Sequence, residues 1–412
     1  MTFTVRPISF AQHREYVVSQ PSVSFLQTPE WGAAKPGWGS RSVGWFSGSR
    51  LVGAGLVLSR HIPKSRRWLA YLPEGPHLPV LTTDTTLSDS LPGLLDPLLK
   101  HLREQGAFLV KMGPTVPVHR WQAATLKAAI GQPGVHRLRD VVPDESYASG
   151  TDLISELWGA GWTQRPDTGA GFGDVQPRYV FQVPLRDAAG AAVSEQELFA
   201  NFNQLWRRNV RKAERAGVEV RRGDKSDLAH FHPVYVETAG RDGFIPRPLS
   251  YFEQMWDALN QPGTTAPMSV YLASWRDEVL AATTLIRVGD HAWYSYGAST
   301  NAGREVRPSN AIQWQMIRDS ITAGASVYDL RGITDTLDES DPHFGLIRFK
   351  LGTGGHAIEY VGEWDYALRP ALARAFDLYL RRDDLRERGR AHLGAVAGRQ
   401  RRIRAKSAES QS

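Results

Sequence analysis

One order of elements occurs twice in this chain, and it restricts the fold more than any single motif does. RSVGWFS (41–47) and LVGAGLVLSR (51–60) read as strands joined by a tight Gly48-Ser49 turn. RWLAYL (67–72) is a third strand, LSDSLPGLLDPLLKHLREQG is a helix ending near Gly106, and AFLVKM is a short closing strand. Prolines in the first half of that helical stretch place its start late, near Gly93. From residue 268 the order returns. MSVYLASW, VLAATTLIRV and HAWYSYGAS form a meander with turns at Arg276-Asp277 and Gly289-Asp290. A helix follows Pro308 and stops at Gly324, and SVYDL closes the set. Identity between the two stretches is negligible, so the repeat is one of order alone. It predicts two similar modules in one α/β (α+β) chain, with mixed, largely antiparallel sheets flanked by helices.

The 412 residues suffice for two ordinary domains, and a 42% hydrophobic content supplies a core for each. With 49 basic and 43 acidic residues the net charge is +6, a mild bias toward an anionic partner. The absence of cysteine excludes disulfides, thiolate metal sites and a thiol nucleophile. No run of about 18 apolar residues is present, and MTFTVRPISFAQHREY lacks the pattern of a secretory signal, so a cytoplasmic location is expected.

Between the modules, 113–177 is rich in Gly, Pro and polar residues and reads as a partly loop-like connection lining a groove, with a helical pattern in TDLISELWGAGW. RYVFQVPL (178–185) opens the second module. Residues 194–216 read as one helix, with a Ser194/Glu197 capping box and Gly217 as the stop. Leu198, Phe199, Phe202, Leu205, Trp206, Val210 and Ala213 fall on one arc of it. Arg207, Arg208, Arg211, Lys212 and Arg215 fall on the opposite arc, either a solvated face or a landing strip for phosphates. Further on, Arg247 and Tyr251 are four residues apart. A helix beginning near Pro248 would set them together at its N-terminus, where backbone N–H groups favour an anion. Arg241 and Asp242 belong to the same link.

The segment HFGLIRFKLGTGG (343–355) places Phe349 and Lys350 among glycines. Such a stretch can be a β-bulge with a solvated lysine, or a place where backbone and ammonium approach a ligand. The tail from 381 to 406 carries ten Arg or Lys and is expected to fray into a basic end attracted to RNA or to an anionic membrane. No P-loop, HExxH, G-x-S-x-G elbow or cluster at metal-ligand spacing occurs. His230 and His232 read as ordinary surface or core histidines. NAGREVRPSN (301–310) lacks the pyrophosphate loop that an acyl-CoA donor needs.

Several segments together resemble the FemABX peptidoglycan-bridge aminoacyltransferases. They are QTPEWGAAKPGW, WRRNVRKAERAGVEV, RDGF with RPLSYF, WYSYGAS, YDLRG, GLIRFKLGTGG and EYVGEWDY, spanning most of 25–366 in the family's order. The resemblance implies two GNAT-like (acyl-CoA N-acyltransferase-like) domains and, with no paired heptads present, no coiled-coil arm. The expected division is 1–177 for the precursor, completed by 356–385, then 178–355 for transfer and 386–412 as a basic tail. The implied reaction moves an amino acid from aminoacyl-tRNA to an amine on the stem peptide of lipid II or its UDP-linked forerunner. The donor ester is already activated, so no cofactor, ATP or metal is expected. By the resemblance, Lys350 in the Phe349-Lys350 pair stabilises the oxyanion. Lys35 grips the precursor's diphosphate with Arg247 and Tyr251, with Arg241 as an alternative to Arg247, and Tyr296 lines the peptide channel. Asp329 and Asp242 are candidate bases, although no carboxylate is forced into that role. The cationic helix face would meet tRNA or precursor phosphates. Two other readings stand beside this one: an acyltransferase with another donor, and a non-catalytic RNA- or envelope-binding protein.

Overall fold

The computed structural model describes residues 3–82, 91–165 and 176–379; the basic stretch at 381–406 lies outside them. The first module runs β1 (Thr4–Pro7), α1 (Phe10–Val18), α2 (Pro29–Ala33), β2 (Gly39–Ser47), β3 (Arg50–His61), β4 (Trp68–Leu72), α3 (Leu91–Glu104) and β5 (Ala107–Met112). The connection contains β6 (Pro117–Gln122), α4 (Ala123–Ala129), β7 (Glu145–Ser146), α5 (Ala148–Gly159) and β8 (Thr163–Gln164). After β9 (Tyr179–Pro184), the second module continues with α6 (Glu195–Asn201), α7 (Gln204–Ala216), β10 (Glu219–Gly223), α8 (Leu228–Asp242) and α9 (Leu249–Leu259). Then come β11 (Met268–Trp275), β12 (Glu278–Val288), β13 (His291–Ser299), α10 (Pro308–Thr322) and β14 (Val327–Ile333). The chain ends its described course with α11 (Phe344–Leu351), β15 (His356–Tyr360), β16 (Trp364–Tyr366) and helical residues 370–379.

Two sheets form, in the orders β1-β2-β3-β4-β5-β16-β8 and β10-β11-β12-β13-β14-β9-β15-β6-β7. The run β1 to β5 matches the run β10 to β14 strand for strand. In each, the fourth and fifth strands are parallel, with Leu72 beside Met112 and Trp293 beside Asp329. Every other pairing among the described residues is antiparallel. The duplicated order is therefore real in space. The connection is less loop-like than its composition suggests. PVHRWQ forms β6 against β15, with Trp121 beside Ala357, and Pro117 stands at the first strand position, where its missing N–H does least harm. Both β6 and β15 thus join the second sheet, while β16 and β8 complete the first.

The single helix expected over 194–216 is two. Asn203 leaves helical geometry, and its side chain accepts from the Trp206 N–H at 2.8 Å, a better use of Asn than a mid-helix position. The break turns Leu205 outward, half-exposed, instead of into the core arc.

Three large apolar clusters hold the fold. One lies under α7, α10 and α11, and one lies between α3 and the first sheet. The third crosses the seam between modules. Phe25, Trp31, Leu56, Leu58 and Tyr71 of the first pack with Tyr251, Phe252, Met255 and Trp293 of the second. A seam filled by core residues fixes the modules as one body.

Burial pushes three histidines, His13, His77 and His356, down to about 4. They are neutral in the folded chain but protonate near 6.5 once unfolded. Stability is therefore full above pH 6.5 and declines as pH falls toward 4, by up to about 1.4 kcal/mol per pH unit for each histidine. Urea unfolding at pH 7 and pH 5 is expected to show this loss. A flat profile over that interval would remove the assignment.

Candidate active site between the two modules

Lys35 sits just after α2, and α2 is clamped to both modules. Buried Glu30 accepts from Arg14 Nε at 3.0 Å and from the backbone N–H and hydroxyl of Thr265 at 3.3 and 3.2 Å. The Gln254 amide donates to Ala33 O at 3.1 Å. The Lys35 ammonium is thereby held against the second module. Nζ donates to the Tyr251 hydroxyl at 3.1 Å, and that hydroxyl is 3.2 Å from the Tyr296 hydroxyl. Nζ also lies 4.5 Å from the Trp31 ring centre, and the Arg247 guanidinium lies 5.4 Å from that of Tyr251. Lys35, Arg247, Tyr251 and Tyr296, scattered over the sequence, meet at one place.

The elements explain the meeting. Pro248 caps α9, so Arg247 and Tyr251 flank its first turn as the four-residue spacing predicts. A ring nitrogen of His232 in α8 lies 3.0 Å from Arg247 O and fixes the approach. Tyr296 falls where the pairing of β12 and β13 slips register, and its N–H donates to Thr284 Oγ1 at 3.1 Å. Neither Lys35 nor Arg247 forms an ion pair among the described residues. Burial pushes Lys35 below the usual lysine range, and Arg247 adds to the push while Tyr296 opposes it. Two neighbouring cations without a carboxylate are a receptacle for an anion. Arg241 is not part of it: it donates to Asp242 at 2.8 Å and to Ser299 O at 2.7 Å.

Lys350 is neither solvated nor on a bulge. Residues 344–351 are helical, and Lys350 is 3% exposed. Nζ donates to Leu330 O at 2.7 Å, Arg331 O at 3.2 Å and Gly332 O at 2.6 Å. Three donors meet three acceptor-only carbonyls, an arrangement that a neutral amine with two N–H bonds cannot complete. Burial works against that charge and pushes Lys350 down to about 7; Asp329 opposes the shift and Arg331 adds to it. The following glycines serve the protein's own packing. A Cβ at Gly352 would meet Trp206 Cδ1 at 2.0 Å, and one at Gly355 would meet Gln182 O at 2.1 Å. Through that opening Trp206 of α7 reaches Phe349, with ring centres 4.8 Å apart and Nε1 donating to Phe349 O at 2.8 Å. The cationic helix and the Phe349-Lys350 pair are therefore mechanically joined. On α7, Arg207, Arg208, Arg211 and Arg215 line one open groove with Gln204 and Glu214, and Lys212 is exposed outside it.

Between these two places lies a buried polar group that residue spacing does not reveal. Arg331, in left-handed backbone at φ +62°, donates to Glu74 Oε1 at 2.8 Å and to Gln176 Oε1 at 3.1 Å. Glu74 also accepts from Ser24, and Tyr71 donates to Glu363 at 2.7 Å. The Arg331 guanidinium stands 5.4 Å from the Phe25 ring centre, and Phe25 packs edge-on to Trp31 at 5.2 Å. Lys35 and Arg331 thus stand over the two rings of one aromatic pair. Asp329 is fully occupied: it takes the Arg331 N–H at 2.6 Å and the Gln182 amide at 3.0 Å, and lies 3.3 Å from His291. Burial pushes its carboxyl up, but His291, Arg331 and Gln182 together hold it below the usual range, which makes it a weak base. Asp242, paired with Arg241, is half-exposed. Among the described residues no group of three or more acidic or histidine side chains could hold a metal, and no helix is long and apolar enough to cross a membrane.

Three kinds of comparison with known proteins agree. The sequence pattern of the FemAB family matches residues 8–265 and 269–380. The lipid II:glycine glycyltransferase of Staphylococcus aureus strain MRSA252 is 24% identical over 431 residues, covering 89% of this chain and 93% of the relative. The counterpart in strain USA300 gives the same figures. Among solved structures, FemX superposes with a TM-score of 0.72 at 23% identity, over 90% of this chain and 99% of FemX. That likeness bears out the mixed α/β fold, with two sheets flanked by helices.

Proposed function

The chain belongs to the FemAB family, and from that premise we propose that it is an aminoacyltransferase of peptidoglycan-bridge synthesis. Its donor in this reading is aminoacyl-tRNA, and its acceptor is an amine on the stem peptide of a peptidoglycan precursor. The observation that carries the proposal is the meeting of Lys35 and Arg247 across the module seam. Two cations with no carboxylate of their own fit the diphosphate that both lipid II and its nucleotide-linked forerunner carry. Tyr251 and Tyr296 set the ammonium's position and border the path of the peptide.

The chemistry needs little from the protein beyond alignment and charge. The free amine attacks the ester carbonyl carbon, and the carbonyl oxygen takes the negative charge of the tetrahedral intermediate. Collapse forms the amide and breaks the bond to the tRNA ribose oxygen, which leaves with a proton derived from the amine. Lys350 is the buried cation suited to the developing oxyanion. Its longest bond, to Arg331 O at 3.2 Å, is the one that yields when the ester enters. Phe349 beside it offers a half-buried ring to the donor's terminal base. The arginine groove of α7 receives the donor's phosphates and is tied to Lys350 through Trp206.

The test is a transfer assay with labelled aminoacyl-tRNAs against lipid-linked and nucleotide-linked acceptors. Label is expected to pass to the stem peptide without ATP. The double change Arg208→Glu with Arg211→Glu is expected to raise KM for the tRNA about tenfold or more, leaving that for the acceptor unchanged. No transfer from any aminoacyl-tRNA to either acceptor would overturn the reading.

A further inference from the structure

The short link from α8 to α9 carries a feature that the transfer chemistry does not use. Gly243, at φ +79°, ends α8, and Phe244, Ile245 and Pro246 then project before Arg247 and Pro248. Ile245 is 85% exposed, the highest value among the large apolar side chains described, and Phe244 beside it is 40% exposed. The link is not slack. The Phe244 N–H donates to Ala239 O at 3.2 Å, the Phe244 ring packs at 5.5 Å on Tyr235, and His232 holds Arg247 O. Two prolines restrict what remains. A lone exposed isoleucine means little. Here it is the tip of a braced apolar projection bordering the Lys35–Arg247 receptacle. The nearby carboxylate of Asp242 is already matched by Arg241 at 2.8 Å. An apolar tip with unpaired cations at its base fits the boundary of a bilayer, where acyl chains lie below anionic headgroups.

We propose that Phe244 and Ile245 insert into the interfacial layer of an anionic bilayer. This sets Lys35 and Arg247 at the depth of a lipid-linked diphosphate, and makes the membrane-bound precursor the working acceptor. The proposal rests on the reading of Lys35 and Arg247 as the diphosphate site.

The absence of cysteine makes the test clean. Ile245→Cys in the full chain is labelled with an environment-sensitive fluorophore, as is Val142→Cys, an equally exposed position beside β7 at the far edge of the second sheet. With vesicles of phosphatidylcholine and phosphatidylglycerol (3:1) in 0.5 M salt, the label at 245 is expected to shift to the blue and the label at 142 to stay unchanged. Ile245→Asp is expected to raise KM about tenfold for lipid-linked acceptor in vesicles, with kcat kept and transfer to the soluble nucleotide-linked acceptor unaltered. An unshifted label at 245 on vesicle-bound protein overturns the proposal. So does a shift that follows protein concentration without lipid, which marks self-association, or an equal loss on both acceptors. Insertion at 245 with no transfer by the unaltered chain to either acceptor sinks the transferase reading alone, and with it the link to a lipid-bound substrate.

Discussion

Lys350→Met is expected to lower kcat/KM for transfer by about 10²–10³-fold, the range seen when one preorganised oxyanion donor is removed. Precursor affinity should stay within a few-fold, because Lys35 and Arg247 are untouched. Methionine fills much of the same space with no donor, so Leu330 O, Arg331 O and Gly332 O lose a shared partner. Part of that loss is offset, since an ammonium no longer has to be desolvated. The net change in stability should therefore be small beside the loss of transfer. Lys350→Arg is not expected to rescue, because a planar guanidinium cannot direct three protons into a pyramid of carbonyls. Charge also sets the pH response. The lysine is cationic below its folded pKa, so transfer that needs the cation falls as pH rises through that value, about 7 by burial. Retention of transfer within threefold in Lys350→Met would show that the ammonium only fastens the 330–332 turn.

That lysine also shows what a linear reading can and cannot extract. GLIRFKLGTGG singles the lysine out, but it says nothing of the side chain's surroundings. The glycines suggested close approach to a ligand, whereas their missing side chains admit Trp206 and the Gln182 carbonyl. Nothing in the local pattern announces a partner 143 residues away, such as the Trp206–Phe349 bond. The duplicated meander was readable because strand alternation and turn residues are local signals. The break at Asn203 is not legible in the sequence, because capping competes with helix continuation by a fraction of the energy in either. β6 is not legible either, because a strand can take its stability from its neighbour, here β15, more than from its own composition.

The receptacle at the seam is the sharper case. Arg247 and Tyr251 could be paired from their spacing alone, since four residues make one helical turn. Lys35 and Tyr296 could be attached to them only through resemblance, because the distance between those residues along the chain carries no geometry. The Glu74–Arg331 pair, separated by 257 residues, lies beyond either route, although Arg331 itself falls in the YDLRG segment.

Lys35→Ala and Arg247→Ala are each expected to raise KM for the acceptor about 10- to 100-fold with kcat held, the loss of one charge-assisted contact that is equally strong before and during the reaction. If both cations grip one diphosphate, the double variant should exceed the product of the single effects, since in each single variant the remaining cation can recentre the anion and mask part of the loss. An acceptor stripped of its diphosphate provides the control: wild type and all three variants should then share one high KM. Stability should move the other way from function. Lys35 is half-buried beside another cation and pairs with no carboxylate among the described residues, so removing its charge relieves a cost of burial, and Lys35→Ala should be no less stable than the parent by more than about 1 kcal/mol. A cation kept in a place where it does not help the fold needs a reason in binding. If Lys35→Ala instead unfolded the chain while leaving KM unchanged, the ammonium would be a fastener of the seam, and the diphosphate would have to be sought elsewhere.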